Sequence, residues 1–378
     1  MLLASKIGGG KAERQSLRDR FLLFQAGRFG ELLVQDRQDR RRRETQQTSP
    51  EDDLQKRLAA AERLMSMGEI SRARQRLAGS GLAPGTAETL AHLRDTSRRP
   101  LTLQRPIPVE VLEFEPERPL ELDARRLLQN LRSAHKGTAP GPLGTRTEHL
   151  KIILDDEASS TGFVRVCERL ARGEVPADVG KGLGGGWMTA LTKPSGGARG
   201  IVAGDRVRSL VARTLAQQHG PEVNRACQPY QFALSTRAGT DAASLLIRAA
   251  CESSPRTVVI AIDGVGAFDN ISRAAMLTKL KTLPGASSML PFVKLFYSEP
   301  SSYLWQDDAG DVHNILQGEG GEQGDGLMPM MYALGQPDGL DEARTLLPPS
   351  DALIAYLDDI YLLTQEQHAR ASFDTVTN

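Results

Sequence analysis

The chain has 378 residues, 40% of them hydrophobic and 25% charged. Its 47 Lys and Arg balance 47 Asp and Glu, so no global basic field marks it as a nucleic-acid binder and any such role rests on local charge. No apolar run approaches the ~20 residues that span a bilayer, and Met1-Leu2-Leu3-Ala4 is too short for a signal-peptide core, so no membrane partner is expected.

Residues 1–48 read as a basic N-terminal arm, disordered or helical, with Arg40–Arg43 near its end. Three readings stand for it: a solvated helix face, a nucleic-acid arm, or a nuclear address. Residues 49–98 form a helical hairpin region. Ser49-Pro50-Glu51 is a helix start, with a capping hydroxyl, a proline at the first turn and then an acid. Leu54, Leu58, Ala61 and Met65 keep helical spacing up to Gly68. Ile70, Ala73 and Leu77 predict a second helix, stopped at Gly79–Gly81, and Thr86 can cap a third. The Pro-containing stretch 99–122 reads as an extended linker.

From Asp123 the chain is helical to about Ala134. Lys136–Gly144 is a rigid Gly/Pro loop, either a plain structural turn or a phosphate cradle, without the Lys-Ser/Thr ending of a P-loop. Helices follow near 145–155 and 161–173. Trp187–Lys193 and Arg199–Val202 predict a hairpin about Pro194-Ser195-Gly196-Gly197, with Lys193 and Arg199 as one cation on each arm. Arg206, Arg208 and Arg213 lie on the next helix, placed to pair with core acids or to meet template phosphates. The three cysteines, Cys167, Cys227 and Cys251, are far apart and in no metal-ligand spacing, which suits reduced intracellular thiols.

A helix over Gly239–Glu252 leads into Thr257–Ile262, a β-branched run expected as a central strand. It ends in Asp263, followed by the bend Gly264-Val265-Gly266-Ala267 and then Phe268. Asp269-Asn270 can cap the helix from Ser272 to about Leu283, and Asp269 is read as a cap rather than a ligand. Ser287–Tyr297 predicts another helix, and 302–305 with 312–316 a hairpin. The Gly-rich loop Gln317–Pro329 opens a further helix. Ile354–Leu363 then carries two apolar runs flanking Asp358-Asp359, a strand-turn-strand with like charges at the edge of a core. Asp-Asp also occurs at 52–53, 155–156 and 307–308, where helix starts and ordinary turn chemistry account for it.

Carboxylates at a strand end and at a hairpin tip converge if the two strands are neighbours. Three of them would bind Mg²⁺, a hard cation that prefers oxygen, and two such ions about 4 Å apart serve in-line displacement at phosphorus. Fixed cations such as Lys193 and Arg199 are what a triphosphate needs while it is attacked.

Asp263–Asp269, Gln323-Gly324-Asp325 and Tyr356-Leu357-Asp358-Asp359, in this order, resemble the palm of a reverse transcriptase. The likeness is to the RNA-directed DNA polymerase of non-LTR, LINE-like retrotransposons, over roughly residues 130–365. The resemblance implies an α+β, right-hand polymerase fold. Fingers and an antiparallel palm sheet would occupy 123–378, truncated and with the thumb absent, behind a helical N-terminal region. It implies transfer of a dNMP to a primer 3′-hydroxyl with two Mg²⁺ ions, Mn²⁺ being a substitute. The partners implied are an RNA template, a DNA or RNA primer and dNTPs, in a nuclear setting. Asp263, Asp358 and Asp359 would be the catalytic metal ligands. Lys193, Arg199 and the bend Gly264, Val265, Gly266 and Ala267 would meet the triphosphate. Phe268, five residues past Asp263, would screen the sugar, and Gln323 and Gly324 would contact template and nucleotide. Gly200 and Gly326 depart from the family, which carries proline there. Two other readings are an inactive remnant of such an element that only binds nucleic acid, and a helical adaptor working through residues 50–98.

Overall fold

The computed structural model describes residues 11–28, 30–32, 34–35, 50–78, 81–193, 196–234 and 236–377. Arg40–Arg43, the capping Ser49, and Pro194 and Ser195 lie outside them. Seven strands are present among the described residues: β1 (Gly186–Thr192), β2 (Ala198–Gly204), β3 (Thr257–Asp263), β4 (Ser301–Gln306), β5 (Val312–Gln317), β6 (Ala352–Tyr356) and β7 (Asp359–Gln365). They form two sheets, ordered β2-β1-β4-β5 and β3-β7-β6. The fold is mixed α+β. The three-stranded sheet is antiparallel throughout, whereas the four-stranded sheet contains one parallel pair, β1 with β4.

The strand β3 sits at the edge of its sheet, not at the centre as its β-branched run suggested. The central place belongs to β7, and the difference shows in burial. Val259, Ala261 and Asp263 are exposed on one face of β3, while Leu362 and Leu363 of β7 are buried on both faces. Strands covered on both sides read as continuous apolar runs, as Leu353-Ile354-Ala355 and Leu362-Leu363 do here. One face packs Leu353 and Leu362 with Tyr230, Leu340 and Leu347; the other packs Ile354 and Leu363 with Ala243 from the helix Gly239–Ser253. Both cores stop short of the end of the sheet that carries Asp263, Asp358 and Asp359.

The main core gathers around the helices Arg206–Ala226, Arg273–Lys281, Leu290–Tyr297 and Met328–Leu334. Met328–Leu334 is apolar in sequence and buried nearly all round, as such a helix must be. The stretch 99–122, expected as a linker, is largely irregular yet belongs to this core. Ile107, Val111, Leu120 and Leu122 are buried in it, and their spacing between prolines follows neither a helical nor a strand period.

Upstream, Pro50–Ser66 and Ile70–Ala78 pair across Gly68, whose φ is +79°. The turn of this helical hairpin docks on the Gly/Pro loop. Glu69 accepts from the Lys136 N–H at 3.3 Å and meets His135 Nδ1 at 2.8 Å, and Glu148 accepts from the Gly137 N–H at 2.6 Å. A Cβ on Gly141 would lie 2.7 Å from the Gly204 carbonyl. The amides of Lys136 and Gly137 thus already serve carboxylates, and Gly141 is packed against β2, which favours the packed-turn reading of the loop. No helix among the described residues is long and apolar enough to cross a membrane.

Candidate active site

The antiparallel register of β3 and β7 sets Asp263, the last residue of one, opposite Asp359, the first of the other. Tyr356 pairs with Asp359 across the β6–β7 hairpin, so Leu357 and Asp358 form its two-residue connection. Residues opposite each other on neighbouring strands have their Cβ atoms within about 4.5–5.5 Å. The electrostatics agree with this placement. The Asp359 carboxyl is pushed above the usual carboxylate range, first by partial burial and then by the charges of Asp358 and Asp263. The Tyr332 hydroxyl, buried nearby, is pushed up to about 12 by burial and then by the charge of Asp358, with Asp263 and Asp359 adding to it.

Among the described residues, no three Asp, Glu, His or Cys side chains are gathered into a ready-made metal cage. The donor chemistry nonetheless suits a hard divalent cation, which takes carboxylate oxygens, and a cation would relieve the repulsion felt at Asp359.

The bend after Asp263 is shaped by one amide. Asn270 Nδ2 donates to the carbonyls of Val265 and Gly266, both at 3.2 Å, and to that of Arg98 at 2.9 Å. In a trans peptide the N–H points opposite to the C=O, so the N–H groups of Gly266 and Ala267 face away from Asn270. Gly266 has φ +62°, and a Cβ there would approach the Arg98 carbonyl to 3.0 Å. Gly264 and Val265 are exposed.

Asp269 and Asn270 do not cap the next helix; Ser272 does, its Oγ accepting from the Ala275 N–H at 3.3 Å. Asp269 is buried within the short turn Ala267–Asn270 and accepts from Arg99 Nη2 at 3.1 Å. Burial raises its pKa and the Arg99 guanidinium opposes the rise.

Lys193 and Arg199 occupy the two arms of the β1–β2 hairpin, where Leu191 pairs with Arg199 and the Lys193 N–H donates to the Gly197 carbonyl at 3.1 Å. Lys193 is half-buried. Its pKa is lowered by that burial and by Arg98 and Arg199, against a raising influence from Asp269 and Asp263. The hairpin lysine thus lies within electrostatic reach of the carboxylate bend, and Arg98 is a further cation of this cluster that sequence reasoning missed. Gly200 has its own reason to be glycine: a Cβ would come 2.8 Å from Met188 Sδ and 3.3 Å from Leu93 Cδ2, where the N-terminal helix Ala87–Leu93 packs on the hairpin.

The Gly-rich loop is mostly buried, with Gln317–Glu322 inside and Gln323 and Gly324 reaching the surface. It bridges the bend and the hairpin. Gly321 N–H donates to the Phe268 carbonyl at 3.0 Å, and Val202 N–H of β2 donates to the Gln323 carbonyl at 3.1 Å. Gly324, at φ +131°, would place a Cβ 2.6 Å from the Val202 carbonyl. Beneath the loop Arg208 is buried, donating to Glu322 Oε1 at 2.5 Å and to Asp325 Oδ2 at 3.1 Å. Asp325 Oδ1 in turn accepts from the Leu327 N–H at 2.9 Å, which holds the start of the Met328–Leu334 helix next to Gly326.

No family model matches the chain. Over 242 residues it is 24% identical to the retrotransposable element SLACS 132 kDa protein of Trypanosoma brucei gambiense, a match covering 64% of this chain and 20% of that protein. The chain thus spans about a fifth of the length of the curated relative it matches. Among solved structures it is similar to telomerase from Candida albicans in complex with the TWJ fragment of telomeric RNA, at 13% identity and TM-score 0.41, covering 54% of this chain and 41% of that one. It is also similar to apo telomerase from Candida tropicalis truncated from its C-terminal domain, at 13% identity and TM-score 0.40, covering 52% of this chain and 47% of that one.

Proposed function

We propose that this chain is the RNA-directed DNA polymerase domain of a non-LTR retrotransposon, its fingers and palm adding dNMP units to a primer 3′-hydroxyl on an RNA template. The observation that carries the reading is the register of β3 on β7, which sets Asp263 against Asp359 with Asp358 in the adjoining turn. The retrotransposon-encoded relative supports the biological setting.

On this reading Asp263, Asp358 and Asp359 would hold two Mg²⁺ ions, or Mn²⁺. Bound ions of this kind lower the pKa of the primer hydroxyl and neutralise the leaving pyrophosphate. The protein's own contribution is placement. Lys193 and Arg199 would take the triphosphate together with the outward N–H groups of Gly266 and Ala267, beside Gly264 and Val265. The Phe268 ring would occupy the space of a ribose 2′-hydroxyl and so select dNTPs. Gln323 and Gly324, at the surface of an otherwise buried loop, would meet template and nucleotide.

Primer extension with Mg²⁺, an RNA template and dNTPs tests this. Wild type should extend and Asp358→Asn should not; equal null results from both proteins would reduce the chain to an inactive remnant that only binds nucleic acid. The adaptor reading draws on the exposure of Leu54, Leu58, Met65, Ile70 and Leu77 along the helical hairpin. It leaves the carboxylate cluster without a role.

A further inference from the structure

Leu357, the first residue of the β6–β7 connection, has φ +55°. A side chain with a Cβ seldom adopts that backbone, so the surroundings must enforce it. Two buried amides grip this residue from both sides. Gln231 Oε1 accepts from the Leu357 N–H at 2.8 Å, and Gln336 Nε2 donates to the Leu357 carbonyl at 3.0 Å. The two side chains are themselves joined, Gln231 Nε2 donating to Gln336 Oε1 at 2.9 Å. The result is a closed ring of hydrogen bonds around one strained residue.

Both amides are fixed from behind. Gln231 is 4% exposed and forms a parallel bridge with Ala355, flanked by Ala355 N–H to the Tyr230 carbonyl at 2.8 Å and Phe232 N–H to the Ala355 carbonyl at 2.9 Å. Gln336 is 9% exposed and stands at the start of the helix Pro337–Leu346. Burying two primary amides is costly unless they are satisfied, and apolar side chains of similar size would fill the space without that cost. Their placement against the one strained residue beside Asp358 is what the core alone does not require.

We propose that Gln231 and Gln336 are positioning residues that lock the Leu357–Asp358 connection and so aim Asp358 and Asp359 at Asp263, an inference that builds on the polymerase reading above. Asp358 lies in the two-residue connection, outside the ladder that pairs Asp359 with Tyr356 and Asp263, so its aim depends on how Leu357 is held. Outer residues of this kind are worth about tenfold to a hundredfold in metal affinity or activity, and a misplacement of about 1 Å at the reacting groups costs about a hundredfold in rate.

The test compares wild type with Gln231→Leu and Gln336→Leu in the full chain by three measurements: hydrogen exchange at the Leu357 amide, Mn²⁺ binding from the electron paramagnetic resonance of the free ion, and primer extension. Exchange should speed up about tenfold or more, most in Gln231→Leu, because the amide loses its acceptor. Mn²⁺ affinity should fall about tenfold. The kcat should fall about a hundredfold while KM for dNTP stays within about twofold, a split that general loss of stability does not produce. Leu357→Gly supplies a second variant if Gln231→Leu fails to fold. Glycine adopts positive φ freely, so Gln336→Leu should cost less in the Leu357→Gly background. Unchanged exchange at Leu357 in folded Gln→Leu proteins overturns the lock. Faster exchange with unchanged Mn²⁺ binding and extension overturns the aiming role. If wild type neither binds Mn²⁺ nor extends primers while exchange still rises in the variants, the polymerase reading falls and the lock stands.

Discussion

Phe268 and Tyr332 lie face to face, their ring centroids 4.6 Å apart and their planes 18° from parallel. The pair joins the bend after Asp263 to the buried helix Met328–Leu334, so the Phe268 ring is backed by a side chain that cannot move away. A steric gate works only if it is rigid, and an aromatic stack of this kind adds about 0.5–1.5 kcal/mol to that rigidity.

If Phe268 screens the sugar, Phe268→Val should lower the preference for dNTP over NTP by about tenfold to a hundredfold, the range that pocket shape alone can supply. Tyr332→Ala should relax the same preference by less, since it removes the backing and not the gate. Single-nucleotide extension with matched dNTP and NTP measures both. Equal discrimination in wild type and Phe268→Val would remove Phe268 from this role.

Asp359 gives a pH-dependent prediction. Its folded-state pKa is raised, by partial burial and by Asp358 and Asp263, so between the unfolded and the folded value the native state binds more protons than the unfolded one. Stability should therefore fall as pH rises through that window, and the penalty is in full force at neutral pH. Asp359→Asn should raise the melting temperature of the metal-free protein at pH 7, and the gain should shrink on acidification towards pH ~4, near the unfolded carboxylate pKa. Added Mg²⁺ should narrow the difference by stabilising wild type. Thermal melts at several pH values, with and without Mg²⁺, measure each sign.

Arg208 is buried between Glu322 and Asp325 and also lies over the Phe296 ring at 4.1 Å. Arg208→Met keeps much of the apolar packing and strands two buried carboxylates, which should cost about 3–5 kcal/mol in urea denaturation. Combining it with Glu322→Leu, which leaves Asp325 its bonds from Tyr297 and the Leu327 N–H, should recover part of that loss. Failure to recover would mean that packing, not charge, dominates at this position.

Lys193, Arg199 and Arg98 should contribute unequally to nucleotide binding. Lys193 feels both Asp263 and Asp269, so Lys193→Ala should raise KM for dNTP about tenfold with little change in kcat, as expected for a contact made alike in ground and transition states. Arg98→Ala should do the same more weakly, since Arg98 also lies 3.5 Å from Asp95. Steady-state kinetics across salt concentrations would show the wild type as the most salt-sensitive.

Much of this geometry was legible in the residues. The apolar runs around Asp358-Asp359, the β-branched run ending in Asp263 and the two-cation hairpin each carry a local pattern, and each appears where that pattern put it. Other features have no local pattern. The edge position of β3 depends on which strand pairs beside it, and the parallel union of β1 with β4 joins segments more than a hundred residues apart. Arg98 and Arg99 look like any basic pair before a proline until the fold carries them to the bend. Gln231 and Gln336 are invisible for the same reason, because an amide declares its purpose only once Leu357 arrives between them. Asp269 misled in a different way: Asp before a helix usually caps, but here Ser272 stands closer to the helix start and does so instead.

The buried contact between Arg99 and Asp269 bears on where this molecule can be cut. Arg99 also donates to the Leu93 carbonyl at 2.7 Å and to Gln317 Oε1 at 3.1 Å, so a single guanidinium ties the upstream helices, the bend after Asp263 and the Gly-rich loop into one knot. A shortened protein beginning at Pro100 would keep Asp263, Asp358, Asp359 and Lys193, yet it would leave the buried Asp269 without its ion-pair partner. The helices upstream are thus better regarded as a keystone of the bend after Asp263 than as a detachable appendage.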